Sequence, residues 1–114
     1  MLKFTILLVR KPTLTHEEFV AHHKLAHAKL FMSVPAVAET VRRYVQQHRC
    51  DVNLPDMPMT RYDGITELWF DDLAGLARCF SDPEYLERVR PDEASFLDLH
   101  ACDFIVSTEN VVAA

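Results

Sequence analysis

The sequence predicts a single α+β domain whose elements follow the order β-α-β-β-α-β. Four segments are rich in β-forming residues, two helix starts carry capping residues, and no linker or low-complexity segment divides the 114 residues. This order is typical of a ferredoxin-like sandwich, in which helices cover one face of an antiparallel sheet. A chain of this length is large enough for one packed core.

The first strand is predicted at residues 2–9, where apolar side chains occupy both alternating faces. A strand that is apolar on both sides must be covered on both sides. The helices of a ferredoxin-like sandwich cover only one face of the sheet. We therefore expect the other face to pack against a partner, most simply a second copy of the chain.

The first helix has a well-marked N-terminus. Thr15 is the predicted N-cap, and Glu18 completes a capping box. Leu14 and Phe19 match the hydrophobic staple that accompanies such a box. Pro35 ends or interrupts the helix, because proline disfavours helical geometry in the residue before it. The predicted buried stripe of this helix consists of Phe19, Val20, His23, Ala26, His27, Leu30 and Phe31.

The middle of the chain predicts a pair of strands joined by a long loop. A second, more polar strand is expected at residues 41–50 and a third at residues 64–70, which are rich in β-formers. Residues 51–61 between them contain two prolines and form a predicted surface loop. Loops of this length are often functional lids.

The last third of the chain predicts a helical region and a final strand. Asp71 or Asp72 is the expected cap of a second helix. A short helix is predicted to restart at residues 81–84 and another helical turn at residues 92–97, and a fourth strand is predicted at residues 102–107.

Composition excludes several classes of function. The net charge of −5 and the lack of a basic patch argue against nucleic-acid binding. Residues 2–9 are too short to span a membrane and lack a signal-peptide cleavage site, so we expect a cytoplasmic protein. Cys50, Cys79 and Cys102 form no motif, which predicts reduced thiols rather than a disulfide framework or zinc knuckle.

Four of the six histidines fall within residues 16–27, and His23 and His27 are predicted to face inward. Residues four apart lie on the same side of a helix, and imidazole exchanges protons near neutral pH. Three interpretations follow: metal binding, proton transfer, or hydrogen-bonded packing in the core. Packing is favoured for His23, whereas for His27 packing and proton transfer both stay open.

The metal interpretation needs a third ligand from elsewhere in the chain. His23 and His27 have the spacing of zinc-binding helices but lack the glutamate that zinc hydrolases place beside the first histidine. The candidate third ligands are Glu67, Asp103 and His100. Because nothing in the sequence singles out one of them, we predict no metal site.

Three residues of the second and third strands are further site candidates. Tyr44 can donate a hydrogen bond to a carbonyl or enolate oxygen. Glu67 lies in a strand expected to be buried, so its charge needs a reason. It either forms a charge pair with Arg42 or Arg43, or it serves as a catalytic carboxylate. Trp69 is either a core residue or a platform for a substrate.

The remaining polar candidates are expected to have no chemical role. His16 and His22 are predicted on the flank of the helix, and His48 in solvent. Asp92 and Glu93 are predicted to be helix-capping acids rather than a catalytic pair. No nucleophilic serine or cysteine motif and no glycine-rich phosphate loop is present.

Seven strings of residues, spread in order over nearly the whole chain, carry a family resemblance. They are RKP (10–12), THEEF (15–19), AHAKL (26–30), RYVQQH (43–48), DGITELWF (63–70), DEASFLD (92–98) and FIVSTENVV (104–112). Through them the chain resembles the EthD-like proteins of the dimeric α+β barrel superfamily. The resemblance implies one domain over residues 1–114. It also implies that two ferredoxin-like protomers pair sheet to sheet, each with a pocket between helices and sheet.

The resemblance also implies a function. Relatives include cofactor-free isomerases, dehydratases and cyclases of lactones and aromatic polyketides, besides monooxygenases and haem-degrading proteins. In the similar lactone isomerases, a helix histidine at the position of His27 and a strand tyrosine at that of Tyr44 line the pocket. Those isomerases can carry a cysteine where this chain has Leu68.

The expectation from the resemblance is a homodimeric, cofactor-independent enzyme that transfers protons on a cyclic lactone or aromatic, polyketide-like substrate. His27 is the expected general acid or base and Tyr44 the hydrogen-bond donor to a carbonyl oxygen. His23, Glu67 and Trp69 are the expected substrate-binding residues. The alternative is a non-enzymatic homodimer that binds a small apolar molecule or haem in the same pocket.

Overall fold

A four-stranded antiparallel sheet forms one layer of the protein. In the computed structural model, which describes residues 1–114, the strand order is β2-β3-β1-β4. The strands are β1 (Leu2–Leu8), β2 (Val41–His48), β3 (Gly64–Phe70) and β4 (Asp103–Ser107). Every strand pairing is antiparallel, which confirms the predicted ferredoxin-like βαββαβ fold.

The first helical region contains a widened turn. It consists of α1 (His16–Ala21), a first π-helical segment (His22–His27) and α2 (Ala28–Met32), followed after a short break by α3 (Pro35–Thr40). The capping box is confirmed, since the Thr15 hydroxyl accepts from the Glu18 N–H at 3.1 Å and Glu18 Oε1 accepts from the Thr15 N–H at 2.9 Å. The predicted interruption before Pro35 is confirmed as well.

The second helical region is longer than predicted. It comprises α4 (Leu73–Ser81), a second π-helical segment (Tyr85–Val89) and α5 (Arg90–Phe96). Asp72 is the cap of α4, where its Oδ1 accepts from the Gly75 N–H at 2.9 Å. Tyr85 and Val89 are fully buried, and this packing extends the helix through residues for which the sequence predicts only short turns.

Two clusters of buried side chains fill the layer between helices and sheet. The larger contains Phe31, Phe70 and Tyr85, and the smaller contains Phe19 and Phe96. Side chains of both clusters line a cavity between them, which is therefore enclosed by helix on one side and sheet on the other.

The opposite face of the sheet carries no helix. Phe4 and Ile6 of β1 line the cavity, so the alternate residues Lys3 and Thr5 project from the open face. Ile105 pairs with Thr5 and shares that face, where it is 55% exposed. No helix of the protein is both long and apolar enough to cross a membrane.

Candidate active site

The cavity between helices and sheet has the size and lining of a small-molecule site. Its volume is about 380 Å³, and 14 of its 19 lining residues are hydrophobic. Pockets that bind small molecules are mostly apolar with a few placed polar groups. The other five are the polar residues His23, His27, Thr66, Arg90 and Glu93, and two of the hydrophobic ones, Tyr44 and Tyr85, carry hydroxyl groups.

His27 reaches this cavity from the helix, oriented by a carboxylate. Its Nδ1 lies 2.8 Å from Oδ2 of Asp92 in α5. Because an ionised carboxylate only accepts hydrogen bonds, Nδ1 carries the proton and Nε2 keeps its lone pair. Nε2 has no hydrogen-bond partner in the protein and is not fully buried, and His27 lines the cavity, so this nitrogen is available to a molecule bound there.

His22 shares the same carboxylate. Its Nε2 lies 2.9 and 3.0 Å from the two oxygens of Asp92, and its ring packs on Phe96. His22, predicted on the flank of the helix without a chemical role, thus shares a carboxylate with His27, and Asp92, predicted as a helix-capping acid, also binds two imidazole rings. The contacts join residues 65 and 70 positions apart, so no local spacing in the sequence signals them.

The first π-helical segment aligns these histidines. In an α-helix, residues five apart point about 140° away from each other. A π-helical turn is wider and brings them closer, and such turns are frequent at functional sites. The buried side chains of this helix are Phe19, His23, His27 and Phe31, a regular spacing of four. The wider turn keeps these four side chains on one face of the helix. Ala26, which the sequence predicts to be buried, is therefore exposed.

The electrostatics of the pair favour a neutral imidazole beside an ionised carboxylate. Burial lowers the pKa of His27, although the hydrogen bond and charge of Asp92 act in the opposite sense. Burial alone would raise the pKa of Asp92, but the hydrogen bonds from His27 and His22 outweigh it and lower that pKa. At neutral pH, His27 is thus uncharged and able to accept a proton at Nε2.

His23 touches the cavity but has no free nitrogen. Its Nε2 lies 2.9 Å from the Thr66 hydroxyl and its Nδ1 lies 3.0 Å from Nε2 of His48. Burial, with the neighbouring histidines, lowers the pKa of His23 to about 3. His48, predicted in solvent, is instead half-buried against His23.

Tyr44 points into the cavity from β2. Its hydroxyl oxygen accepts a hydrogen bond of 2.7 Å from the Gln46 side chain, which leaves the hydroxyl proton free to donate. Burial raises the pKa of Tyr44 to about 12, and the charge of Glu93 contributes in the same direction. A neutral, hydrogen-bond-donating phenol is therefore the resting state of this residue.

Glu67 and Trp69 lie on the other side of the sheet. Both alternate along β3 with Thr66 and Leu68, which line the cavity, so they project from the open face. Glu67 pairs with Lys3 and Gln47, not with Arg42 or Arg43 as predicted from the sequence. These two proposed binding residues thus do not meet His27, because a strand turns successive side chains to opposite faces.

The ligands suggested for a metal do not converge on the histidine pair. Glu67 and Asp103 project from the open face, and His100 is exposed in the turn after α5. His16, predicted on the helix flank, is instead bonded to the buried carboxylate of Asp63 at 2.9 Å. No three histidine, cysteine or acidic side chains of the protein are arranged to hold a metal ion.

The architecture defines a ferredoxin-like α+β protein with an apolar cavity between its layers and an Asp–His pair opening into it. Residues 11–100 match the EthD domain, so the chain belongs to the EthD domain family.

Known proteins similar to this chain agree with that assignment. The dehydratase aurZ of Gibberella zeae is 31% identical over 104 residues, which cover 82% of this chain and 67% of that protein. An ethyl tert-butyl ether D (EthD) family protein of Bacillus halodurans is 20% identical with a TM-score of 0.70, over 96% of this chain and all of that one. A dimeric ferredoxin-like protein of Thermobifida fusca is 16% identical with a TM-score of 0.67, over 95% and 90% of the two chains.

Proposed function

We propose that this protein is a cytoplasmic, cofactor-independent enzyme that moves a proton on a cyclic lactone or aromatic, polyketide-like substrate. Dehydration is our first choice over isomerisation and cyclisation, because the similar aurZ is a dehydratase. The observation that carries the proposal is the free Nε2 of His27, which faces an apolar cavity while Nδ1 is bonded to Asp92.

The proposed chemistry assigns one task to each polar group. His27 acts as a general base and removes a proton from a carbon next to a carbonyl group. Asp92 keeps the imidazole in the required tautomer and stabilises the imidazolium that forms. Tyr44 donates a hydrogen bond to the carbonyl oxygen, where negative charge develops. His22, bonded to the other side of Asp92, is a positioning residue.

We also propose that the active form is a homodimer joined through the open face of the sheet. The Thermobifida fusca protein of the same fold is described as dimeric. In a single chain the apolar side chain of Ile105 is left exposed on this face. A second copy would cover it, together with Glu67 and Trp69.

The alternative is a non-enzymatic protein that binds a small apolar molecule in this cavity, which the predominantly apolar lining favours. The enzyme and the binding protein can be distinguished by incubating ketones and lactones with the protein in heavy water. Proton NMR then measures how fast their α-protons exchange with the solvent. For the enzyme we expect exchange that the His27→Gln variant loses by about a hundredfold or more. The exposed His100→Gln variant is the matched control and keeps full exchange. Ligands that bind without exchange in the unaltered protein would favour the alternative.

A further inference from the structure

A second carboxyl group, which the proposed mechanism does not use, faces the cavity. Glu93 follows Asp92 in α5, yet it points into the cavity rather than toward the two histidines. The Tyr85 hydroxyl lies 2.9 and 2.7 Å from its two oxygens, and Arg90 Nε lies 3.4 Å from Oε1. The sequence predicts for this residue only the role of a helix-capping acid.

The second π-helical segment and α5 place this group close to the other polar residues. The ring of Phe31 is in contact with those of His27, Tyr44 and Tyr85, at centroid distances of 6.3, 5.6 and 6.1 Å. Tyr85 in turn holds Glu93. The imidazole of His27, the hydroxyl group of Tyr44 and the carboxyl group of Glu93 are therefore grouped around Phe31 on the wall of the cavity.

The surroundings of Glu93 act on its pKa in opposite directions. Burial raises the pKa of Glu93, although hydrogen bonding by Tyr85 and the charge of Arg90 act against the shift. Burial outweighs these two partners, and the charge of the neighbouring Asp92 adds to it. A raised pKa increases the share of the protonated carboxyl group, which is the form from which catalytic acids donate.

We infer that Glu93 is the general acid of this site and that its substrate is a β-hydroxy carbonyl compound with an aromatic or other apolar body. This inference rests on the proposed function, since it needs His27 as the base. Removal of a β-hydroxyl group is difficult without an acid, because hydroxide is a poor leaving group. The apolar cavity walls suit the body of such a molecule.

The proposed reaction balances without a cofactor. His27 Nε2 takes the α-proton, and the electron pair of the broken C–H bond moves to form an enolate held by Tyr44. Collapse of the enolate forms the carbon–carbon double bond and breaks the β-carbon–oxygen bond. The departing oxygen takes the proton of Glu93 and leaves as water. Transfer of the proton from His27 to Glu93 through solvent restores the enzyme.

The test compares two leaving groups. The probes are the β-hydroxyketone formed from benzaldehyde and acetone, and its acetate ester, which lose water and acetate respectively to give the same conjugated ketone. Formation of that ketone is followed by its ultraviolet absorbance. Acetate leaves without a proton, so only the hydroxyketone needs an acid. The variants are Glu93→Gln, which has the same shape but no acidic proton, and His27→Gln.

We expect Glu93→Gln to slow the loss of water by about a hundredfold or more and to leave the loss of acetate within about threefold of the unaltered protein. We expect His27→Gln to lose both reactions. Equal effects of Glu93→Gln on the two probes, or none on either, would overturn the role of Glu93 while the base stands. If His27→Gln keeps both reactions, the proposed function itself is wrong, and the inference is wrong with it.

A second measurement tests the role of Glu93 in the unaltered protein, so that it does not depend on whether a variant folds. Carbon NMR of the unaltered protein with labelled glutamate side chains gives the titration of the Glu93 carboxyl group. We expect it to titrate above the range of an ordinary exposed glutamate. Titration at or below that range would contradict its assignment as the acid.

Discussion

At the scale of single residues, the hydrogen-bond partners of each imidazole ring separate the chemistry from the packing. His23 and His27 lie one turn apart in the same buried row. Both nitrogens of His23 have protein partners, whereas Nε2 of His27 has none. His23 therefore supports the wall of the cavity, and His27 is the residue to which we assign the proposed role of base.

The buried, neutral state of His23 predicts that acid destabilises the protein. The pKa of His23 is about 3 in the folded state, below the 6.5 of an exposed histidine. The stability that the protein has with a neutral His23 is fully present above pH 6.5, the pKa of this residue in the unfolded chain. It is lost as the pH falls from 6.5 toward 3, because in that range only the unfolded chain takes up the proton. Between pH 7 and pH 5, this residue alone lowers the free energy of unfolding by about 2 kcal/mol.

Urea unfolding at the two pH values measures this difference. We expect the His23→Gln variant to show a smaller loss of stability on acidification, whatever its stability at pH 7. The exposed His100→Gln variant keeps the full pH dependence. An unchanged pH dependence in His23→Gln would show that His23 is already accessible to protons in the folded state.

At the scale of elements, local signals in the sequence predict starts and ends, and long-range packing decides the rest. The capping box and the interruption before Pro35 depend on residues within a few positions, and both were predictable. The contact of Asp92 with His27 joins residues 65 apart. The first π-helical segment leaves one signal in the sequence, which is the spacing of four residues between its buried side chains. A search for the ordinary 3.6-residue period of an α-helix overlooks this spacing.

The cap of α1 can be tested because α1 continues directly into the first π-helical segment, which carries His22 and His27. The Thr15 side chain satisfies the Glu18 N–H, which otherwise has no helical partner. We expect Thr15→Ala to lower the free energy of unfolding by about 1 kcal/mol, and Thr15→Ser to restore most of it. Thr13, exposed just before the helix, supplies the control variant Thr13→Ala, which has no such effect in thermal or urea unfolding.

At the scale of the whole molecule, the two faces of the sheet have different tasks. The face toward the helices lines the cavity, and the open face carries Lys3, Glu67 and Trp69 in a connected polar group beside exposed apolar side chains. The sequence predicts two apolar faces for β1, which is right only for the face that lines the cavity, because the open face carries Lys3 and Thr5. It did not show on which face each residue of β3 lies, so Glu67 and Trp69 were grouped with His27.

The proposed dimer predicts that one charge on the open face separates the two copies. Ile105→Glu places an unpaired carboxylate on the face that the proposed interface covers. Light scattering after size-exclusion chromatography is expected to show twice the mass of one chain for the unaltered protein and a single chain for this variant. Leu25→Glu, at an exposed position on the helical layer, stays dimeric. A monomeric unaltered protein would contradict the proposal.

The role of His27 as a base requires one specific tautomer, and nitrogen NMR of the labelled histidine rings measures it directly. We expect His27 at neutral pH to be uncharged, with the proton on Nδ1 and a lone pair on Nε2, since Nδ1 is bonded to Asp92. Asp92→Asn is expected to disturb this state. A charged ring at neutral pH, or a neutral ring with its proton on Nε2, would contradict the account, because no lone pair would then face the cavity.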